Sequence, residues 1–319
     1  VHTQTVNVND NTAPEITVEA QSQTVQCDGA GNAQQLLNWL NNNGGAEALD
    51  NCGELTWSNN YGALSNDCGE TGAVTVIFTA TDACGNTATT TATFTIQDTQ
   101  DPFWVLNPQD LNIECDNSSD PYGQIAAWLN TAGGGEAGDN CSNVRYSNNF
   151  TSLSDGCGTT GAAEVTFTAR DACGRTTTRT ATVTVIDTEG PAITSPAKNQ
   201  TVECDGSGNT VALNAWLAAN GNATALDACG SITWETPVLM NEIEGCGNTK
   251  ELVYMFQAKD ACDNLSATTI ASFIIEDTTP PNWTTLPEDD AINCQAGTFG
   301  VLMAWVDAYG GGVAVDDCG

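Results

Sequence analysis

Apolar and polar residues alternate along several stretches of the chain, as they do in half-buried β-strands. Between Ala73 and Cys84, the side chains of Val76, Phe78 and Ala80 fall on one face of the stretch and polar threonines fall mainly on the other. After the turn signal Cys-Gly-Asn, the stretch TATTTATFTIQ alternates in the same way. We therefore predict a β-hairpin that presents its apolar face to a hydrophobic core.

The apolar period changes between the first two cysteines. Leu36, Trp39 and Leu40 are spaced i, i+3 and i+4, and the same spacing returns at Ile125, Trp128 and Leu129 and at Leu213, Trp216 and Leu217. This spacing predicts a short amphipathic helix packed on a β-sandwich, with its tryptophan in the core. The alternative for the recurring tryptophans is a sugar-stacking face.

The cysteines recur in a fixed register. Each set of four is followed by the next after about 89 residues, and the joint motif Asp-Thr-X-X-Pro keeps the same period. We expect residues 1–9 to be the last strand of a preceding repeat, and 10–97, 98–186 and 187–276 to be three repeats. Residues 277–319 then begin a fourth. Both ends fall inside a unit, which indicates a slice of a longer repetitive chain; a subunit completed by neighbouring copies is the alternative.

Charge narrows the range of partners. Seven Lys+Arg against forty Asp+Glu give a formal net charge of −33, which disfavours nucleic acid and anionic lipid and favours cations. No apolar run approaches the ~20 residues of a membrane-spanning helix. Fourteen cysteines with a single histidine favour an oxidising, extracellular setting, secreted or on a cell surface.

The four cysteines of a unit allow three pairings. We read Leu55–Ser65 as a pair of short strands around the turn Asn59-Asn60, which would place the second and third cysteines opposite one another. The first and fourth cysteines would then pair by exclusion. Zinc is the competing use, but no Cys-X-X-Cys pair occurs. The expected bonds are Cys52–Cys68, Cys27–Cys84, Cys141–Cys157, Cys115–Cys173, Cys229–Cys246 and Cys204–Cys262.

The joint motif, the run Asp50-Asn51-Cys52 and the stretch VIFTATDACGN resemble the hyalin-repeat (HYR) family of immunoglobulin-like modules. The form with four cysteines and a helix is similar to repeats in very long surface adhesins of Bacteroidetes, including gliding-motility adhesins. The joint NVNDNTAP at Asn7–Pro14 also resembles a cadherin calcium linker. The resemblance implies an all-β array of immunoglobulin-like sandwiches, secretion, and display as a stalk or filament.

Acidic loop residues are expected to converge on each joint aspartate. Three or four carboxylates in one place repel one another unless a cation lies between them, and hard oxygen ligands suit Ca²⁺. The alternative is that each aspartate caps its own turn. The predicted calcium ligands are Asp10, Asp28, Asp50 and Asp82; Asp98, Asp116, Asp139 and Asp171; Asp187, Asp205, Asp227 and Asp260; and Asp277.

The function expected from these observations is mechanical: an extracellular stalk, adhesin shaft or surface filament, stiffened by calcium, whose partners are neighbouring repeats or copies of itself. A carbohydrate-binding array that contacts surface glycans, attached to a secreted enzyme or adhesin, is the alternative. Thr278 lies in a short motif that resembles an O-glycan acceptor. Catalysis is not expected, because no serine or cysteine has a histidine partner and the acidic groups recur in every unit.

Overall fold

The structure is a computed structural model that describes residues 2–116, 120–294 and 296–319. The chain divides into two compact units. The first comprises Val1–Asn112, Tyr122–Ser152 and Ala163–Val183, and the second comprises Ile113–Pro121, Leu153–Ala162 and Thr184–Gly319. This division crosses residues 98–186, so the repeat boundaries stay a prediction from the sequence.

The same order of elements recurs along the chain. Residues 10–97 contain β1 (Glu15–Val18), β2 (Gln23–Gln26), α1 (Ala33–Asn41), β3 (Glu47–Leu49), β4 (Thr56–Asn59), β5 (Gly72–Thr81) and β6 (Thr87–Gln97). Residues 98–186 contain β7 (Phe103–Leu106), β8 (Leu111–Glu114), α2 (Pro121–Asn130), β9 (Glu136–Gly138), β10 (Arg145–Asn148), β11 (Gly161–Arg170) and β12 (Thr176–Ile186).

The later residues repeat this order with a longer edge strand. Residues 187–276 contain β13 (Ala192–Ser195), β14 (Gln200–Glu203), α3 (Thr210–Ala218), β15 (Thr224–Leu226), β16 (Thr233–Trp234), β17 (Val238–Glu244), β18 (Lys250–Phe256), β19 (Ala258–Lys259) and β20 (Thr269–Glu276). Residues 277–319 contain β21 (Asn282–Thr285), α4 (Thr298–Asp307) and β22 (Val313–Val315). A 3₁₀ turn follows each of these helices, at Asn43–Gly45, Ala132–Gly134, Asn220–Asn222 and Tyr309–Gly311.

In the first unit, residues 10–97 form two sheets. The larger sheet has the order β2-β6-β5-β4, and β1 pairs with β3 in the smaller one. The predicted hairpin is confirmed, because β5 and β6 pair antiparallel from Gly72↔Ile96 to Thr81↔Thr87. Strand β2 pairs parallel with β6, from Gln23↔Phe94 to Gln26↔Gln97. Residues 98–186 have the analogous order β10-β11-β12-β8, with β7 paired to β9.

In the second unit, residues 187–276 repeat the pattern. The large sheet has the order β14-β20-β18-β17, with β14 and β20 parallel, and β13 pairs with β15. A further short pair joins β16 to β19, and β21 pairs with β22 in residues 277–319. The chain is therefore an all-β tandem array of immunoglobulin-like sandwiches with short inserted helices, as the alternation predicted.

The helix tryptophans lie in the cores. Trp39 packs edge-on against Phe78 at 5.2 Å between ring centroids and also contacts Phe94, and all three side chains are buried. Trp216 meets Phe256 and Phe273 in the same way. Each indole N–H donates to a backbone carbonyl, so the polar edge of the buried ring is satisfied. These contacts confirm the predicted core position.

The stretch between the second and third cysteines is not the strand pair that we expected. Strand β4 pairs with the end of β5, Asn60 N–H donates to Ile77 at 3.3 Å, and Ser65 N–H donates to Ala73 at 2.9 Å. The chain therefore keeps running along one edge of β5 instead of turning back. As a result Cys52 and Cys68 lie beyond opposite ends of a ten-residue strand, about 33 Å apart.

The predicted cysteine pairing is consequently wrong. The first cysteine of a unit follows β2, whose parallel pairing brings it to the end of β6, whereas the fourth cysteine precedes β6. In each of the two expected pairs, Cys52–Cys68 and Cys27–Cys84, the cysteines are thus about one strand length apart. The cysteines bond instead to those of the next repeat, and in the described part of the chain the disulfides are Cys68–Cys173, Cys115–Cys229, Cys157–Cys262 and Cys204–Cys318.

In the part of the chain that the structure describes, the helices are all too short to cross a membrane.

Gly44 follows α1 in the left-handed region at φ 65°, and a Cβ on it would lie 3.0 Å from Phe78. Gly45 has φ 79° with open space around it. We expect Gly45→Ala to lose about 1 kcal/mol of unfolding free energy from backbone strain alone. Gly44→Ala should lose a further ~1–3 kcal/mol from overpacking, measured by urea unfolding. Equal losses for the two variants would contradict the described contact with Phe78.

Candidate metal centres at the joints

We call Asp10–Pro14, Asp98–Pro102, Asp187–Pro191 and Asp277–Pro281 the first, second, third and fourth joints. The entry end of a repeat is the end at which its joint arrives, and the exit end is the end at which its last strand leaves. All of the joint contacts described below lie within one or other compact unit.

At the first joint, the structure brings together three of the four carboxylates named as ligands. Oxygens of Asp10, Asp50 and Asp82 lie within 4.8 Å of one another. Asp82 is 6% exposed, and Asp10 Oδ2 is buried without a hydrogen-bond partner. The group is thus a compact set of negative oxygens, one of which nothing in the described structure neutralises.

The third joint has a related arrangement, in two groups that share Asp187 and that each include a cysteine. Asp187 lies within 4.8 Å of Asp227 and Cys229 in one group and of Asp260 and Cys262 in the other, and Asp260 is 4% exposed. Burial raises the pKa of Asp187, and the charges of Asp227 and Asp260 raise it further. A raised pKa is what crowded carboxylates produce when no positive group balances them.

The second joint is a variant of the same site. Asp98 and Asp139 come together, and the third member of the group is Cys141 rather than Asp171. Asp98 Oδ2 and Asp171 Oδ2 are both buried without a partner, and Asp171 is 5% exposed. Arg175 donates to the Asp98 carbonyl at 3.2 Å and pairs with Asp101 at 3.1 Å.

The two alternatives that the sequence left open, turn caps and metal ligands, are compatible in one residue. Asp50 accepts from Cys52 N–H at 2.7 Å, and Asp10 Oδ1 accepts from Thr12 N–H at 2.9 Å. Asp139 and Asp227 make the same turn bond to the cysteine two residues on. In these four aspartates one oxygen holds the turn, which leaves the other to the cluster. Asp82 and Asp260 differ, because the side-chain amides of Asn86 and Asn264 donate to their second oxygens.

Three predicted ligands are not brought to the joints we expected. Because β2 and β14 run parallel to the last strands, the loops that follow them lie at the exit end, not the entry end. Asp28 there accepts hydrogen bonds from the N–H groups of Asn32 and Ala30, which lower its pKa. Asp205 accepts the corresponding bonds from the N–H groups of Asn209 and Ser207, which lower its pKa in the same way. Asp116 follows β8 in the corresponding loop, next to Cys115, whose N–H bonds to Ile186.

Side chains that were not among the predicted ligands hold the joints from the exit end. Gln26 accepts from Thr99 N–H and Oγ1 at the second joint, and Glu114 accepts from Thr188 at the third. Glu203 does so at the fourth. Their position immediately before the first cysteine of each unit recurs in register, which is a signal that could have identified them.

The fourth joint makes the exit-end contacts, but its aspartate belongs to no carboxylate cluster among the described residues. This aspartate, Asp277, is exposed. Glu203 accepts from Thr278 N–H at 2.8 Å, from Thr278 Oγ1 at 2.8 Å and from Thr279 Oγ1 at 2.6 Å. Thr278, the candidate O-glycan position, therefore uses its hydroxyl in the joint, and its modification stays a prediction.

The repeats approach one another closely beside each cysteine pair. Glu70 N–H donates to the Cys141 carbonyl at 2.9 Å, and Thr159 N–H donates to the Cys229 carbonyl at 2.7 Å. A Cβ on Gly158 would lie 2.1 Å from that same Cys229 oxygen, and Gly158 has φ 59°. The recurring Cys-Gly pair is thus required by main-chain contact as well as by backbone conformation.

The donor set at the first and third joints fits a hard divalent cation. It consists of carboxylate oxygens held by their own turns, whereas a structural zinc site would use thiolates or imidazoles. The cysteine sulfurs beside Asp227 and Asp260 are already bonded to Cys115 and Cys157, so neither is available as a thiolate ligand. Asp10, Asp50 and Asp82, and Asp187, Asp227 and Asp260, are the residues that would hold Ca²⁺.

The hydrogen bonds from Thr279 and Thr278 lower the pKa of Glu203 from 4.5 to about 2. Its contribution to stability is therefore present above pH 4.5 and is lost as the pH falls toward 2. We expect the Glu203 side-chain carboxyl carbon to titrate near pH 2 by NMR, and Thr279→Val to move the midpoint upward. A midpoint near 4.5 in the unmodified protein would contradict the described bonds.

No protein-family model matches the chain, and no curated protein matches it. Among solved structures it is similar to Drosophila N-cadherin EC1-4, with 10% identity over 85% of this chain and 76% of that chain and a TM-score of 0.28. Mouse cadherin-23 EC22-24 is 12% identical over 84% and 100%, with a TM-score of 0.26. The titin I-band fragment I67-I69 is 9% identical over 84% and 100%, with a TM-score of 0.29. The fold class rests on the strand pairing described above.

Proposed function

We propose that this chain is an extracellular structural array, a stalk, adhesin shaft or surface filament built from hyalin-repeat-like modules, whose joints bind Ca²⁺. The observation that carries the proposal is the convergence of Asp187 with Asp227 and Asp260, repeated by Asp10 with Asp50 and Asp82. A cation shared by the incoming joint and the loops of the next module would hold the two in one orientation.

Electrostatics supports a cation at these positions. The chain carries a net charge of −33, so the acidic clusters lie in a strongly negative field with few basic residues available to balance it. Arg175 at the second joint is the exception. Its guanidinium supplies positive charge beside Asp98, so we expect Ca²⁺ to bind there more weakly than at the other two clusters.

The covalent structure supports a mechanical, extracellular role. Disulfides that join successive modules persist in oxidising surroundings, and a covalent bond across a joint can carry load from one module to the next. A non-enzymatic role accords with the recurrence of the same groups at successive joints. The sugar-binding alternative gains nothing from Trp39, Trp128 and Trp216, because all three are buried.

Replacement of the joint aspartate tests the calcium site. Asp187→Asn should remove one class of Ca²⁺ binding in calorimetric titration of EDTA-stripped protein, because the carboxylate shared by both clusters is lost. Asp277→Asn is the matched control, since no cluster among the described residues includes this joint aspartate and its turn acceptor is kept. Unchanged stoichiometry in Asp187→Asn, or no Ca²⁺ binding by the unmodified protein, would rule the proposal out.

The effect of Asp187→Asn on stability should change when calcium is added. In EDTA the raised pKa of Asp187 means that its contribution is most favourable below the ordinary value of 3.8 and is lost as the pH rises through the raised value. Asp187→Asn should therefore match or exceed the unmodified protein at pH 7 in EDTA. At Ca²⁺ 100-fold above Kd it should lack the ~2.7 kcal/mol that binding supplies. Thermal unfolding with and without EDTA measures both.

A further inference from the structure

The disulfides across the joints are of two kinds. In one kind the first cysteine of a repeat bonds the second cysteine of the next, as in Cys115–Cys229 and Cys204–Cys318, both with a sequence separation of 114. In the other kind the third cysteine bonds the fourth of the next repeat, as in Cys68–Cys173 and Cys157–Cys262, both with a separation of 105. The two kinds occur together at the third joint.

At the second joint, the two cysteines that correspond to the first kind of bond are free thiols. Cys27 and Cys141 have the same separation of 114, and they are 3% and 1% exposed. Cys141 packs in the hydrophobic cluster that contains Cys27 and Trp39, just as Cys318 packs with Cys204 and Trp216. The Cys27 side chain is also a neighbour of the Cys141 thiol, whose pKa is raised by burial and by Cys27.

The hydrogen bonds of the Cys27 and Cys141 N–H groups match those of the cysteines in the bonded pairs. Cys27 N–H donates to the carbonyl of the last residue of β6 at 2.9 Å, and Cys115 and Cys204 make the equivalent bonds at 2.8 Å. On the other side, Cys141 N–H donates to the aspartate two residues earlier at 2.8 Å, as Cys229 and Cys318 do. The backbone therefore holds Cys27 and Cys141 in the same way as it holds the cysteines of the bonded pairs.

We propose that Cys27 and Cys141 form a disulfide, so that the second joint carries both kinds of bond. The two thiols lose two protons and two electrons to a disulfide oxidant such as oxidised glutathione. One thiolate attacks the oxidant to form a mixed disulfide and releases one glutathione thiol, and the second thiolate then displaces the other. A metal site at Asp98, Asp139 and Cys141 is the competing use of the same sulfur.

Disulfide mapping tests this bond. The unreduced protein is denatured in EDTA and alkylated, so a metal-bound thiolate would be labelled and a disulfide would not. We expect Cys27 and Cys141 to resist labelling and to appear in one cross-linked peptide pair. Cys27→Ser should make Cys141 reactive, whereas Cys246→Ser, at an exposed thiol, should not. Labelling of Cys27 or Cys141 in the unmodified protein would overturn the proposal.

A second inference follows from the sequence separations of the bonds, and it rests on the proposed mechanical function. Cys68 is bonded to Cys173 and Cys157 is bonded to Cys262. The backbone between Cys68 and Cys262 is about 680 Å when fully extended, but the path through the two bonds contains only the stretch between Cys157 and Cys173, about 56 Å. That stretch contains β11, a ten-residue strand already ~33 Å long.

We infer that the bonds across the joints form a covalent load path that limits how far the chain extends when its repeats unfold. Tension that opens a sandwich would be carried by the bonded strand β11 before the rest of the polypeptide is drawn out. The limit does not depend on calcium, because covalent bonds set it. Under force, such a shaft would extend far less than the full length of its backbone.

Single-molecule stretching of the whole chain from its two ends, in EDTA, tests the load path. Fully reduced protein should extend to about 1,100 Å, about 320 residues. When Cys27–Cys141 is formed, the shortest covalent path between the two ends of the chain passes through the bonds Cys27–Cys141, Cys115–Cys229 and Cys204–Cys318. This path contains about 80 residues of backbone, or about 280 Å. An oxidised chain that extends to the reduced length would overturn the inference.

Variants separate the two proposals. Cys27→Ser should lengthen the oxidised path to about 140 residues, or about 490 Å, and Cys246→Ser should leave it at about 280 Å. An unmodified chain that already reaches about 490 Å would overturn the Cys27–Cys141 bond and uphold the load path. Failure of the calcium proposal would leave these lengths unchanged, because they are measured without calcium.

Discussion

The parallel pairing of the second strand of a repeat with its last strand is the constraint on which the joints depend. It carries the residues after β2 to the end of the sandwich where β6 leaves, so Cys27 hydrogen-bonds to Gln97. Continuation of the chain along the edge of β5 places Cys68 at that same end. The other two cysteines of the repeat remain at the entry end. Each repeat therefore offers two sulfurs forward and two backward, and bonds form across joints.

The same arrangement concentrates acidic groups where the repeats meet. A carboxylate that caps its own turn can keep one oxygen free, as Asp10 does with Oδ1 on Thr12 and Oδ2 without a partner. The second oxygen of Asp82 is bonded by the Asn86 side chain. Several such residues converge because each sits at the start of a turn at the entry end. Repulsion among them opposes the close approach that the disulfides and main-chain contacts impose, and a divalent cation would resolve the conflict.

Local pattern was enough to predict the elements themselves. The alternation in β5 and β6 arises because a strand with one buried face must place apolar residues at every second position, and Trp39 recurs because a helix buries one stripe. Convergence of Asp10, Asp50 and Asp82 followed from knowing which loops lie at the entry end. The same argument failed for Asp28 and Asp205, because periodicity does not reveal whether two strands run parallel.

By itself, the sequence determined that the chain is an all-β tandem array with a fixed cysteine register and a core built around recurring tryptophans. These features depend on short-range spacing, which is visible in the letters. Only the tertiary structure decided the partners of the cysteines and the side chains, such as Glu203, that hold the joints from the exit end. Both depend on the direction in which distant strands pair, and burial of an apolar face is equally satisfied by either direction.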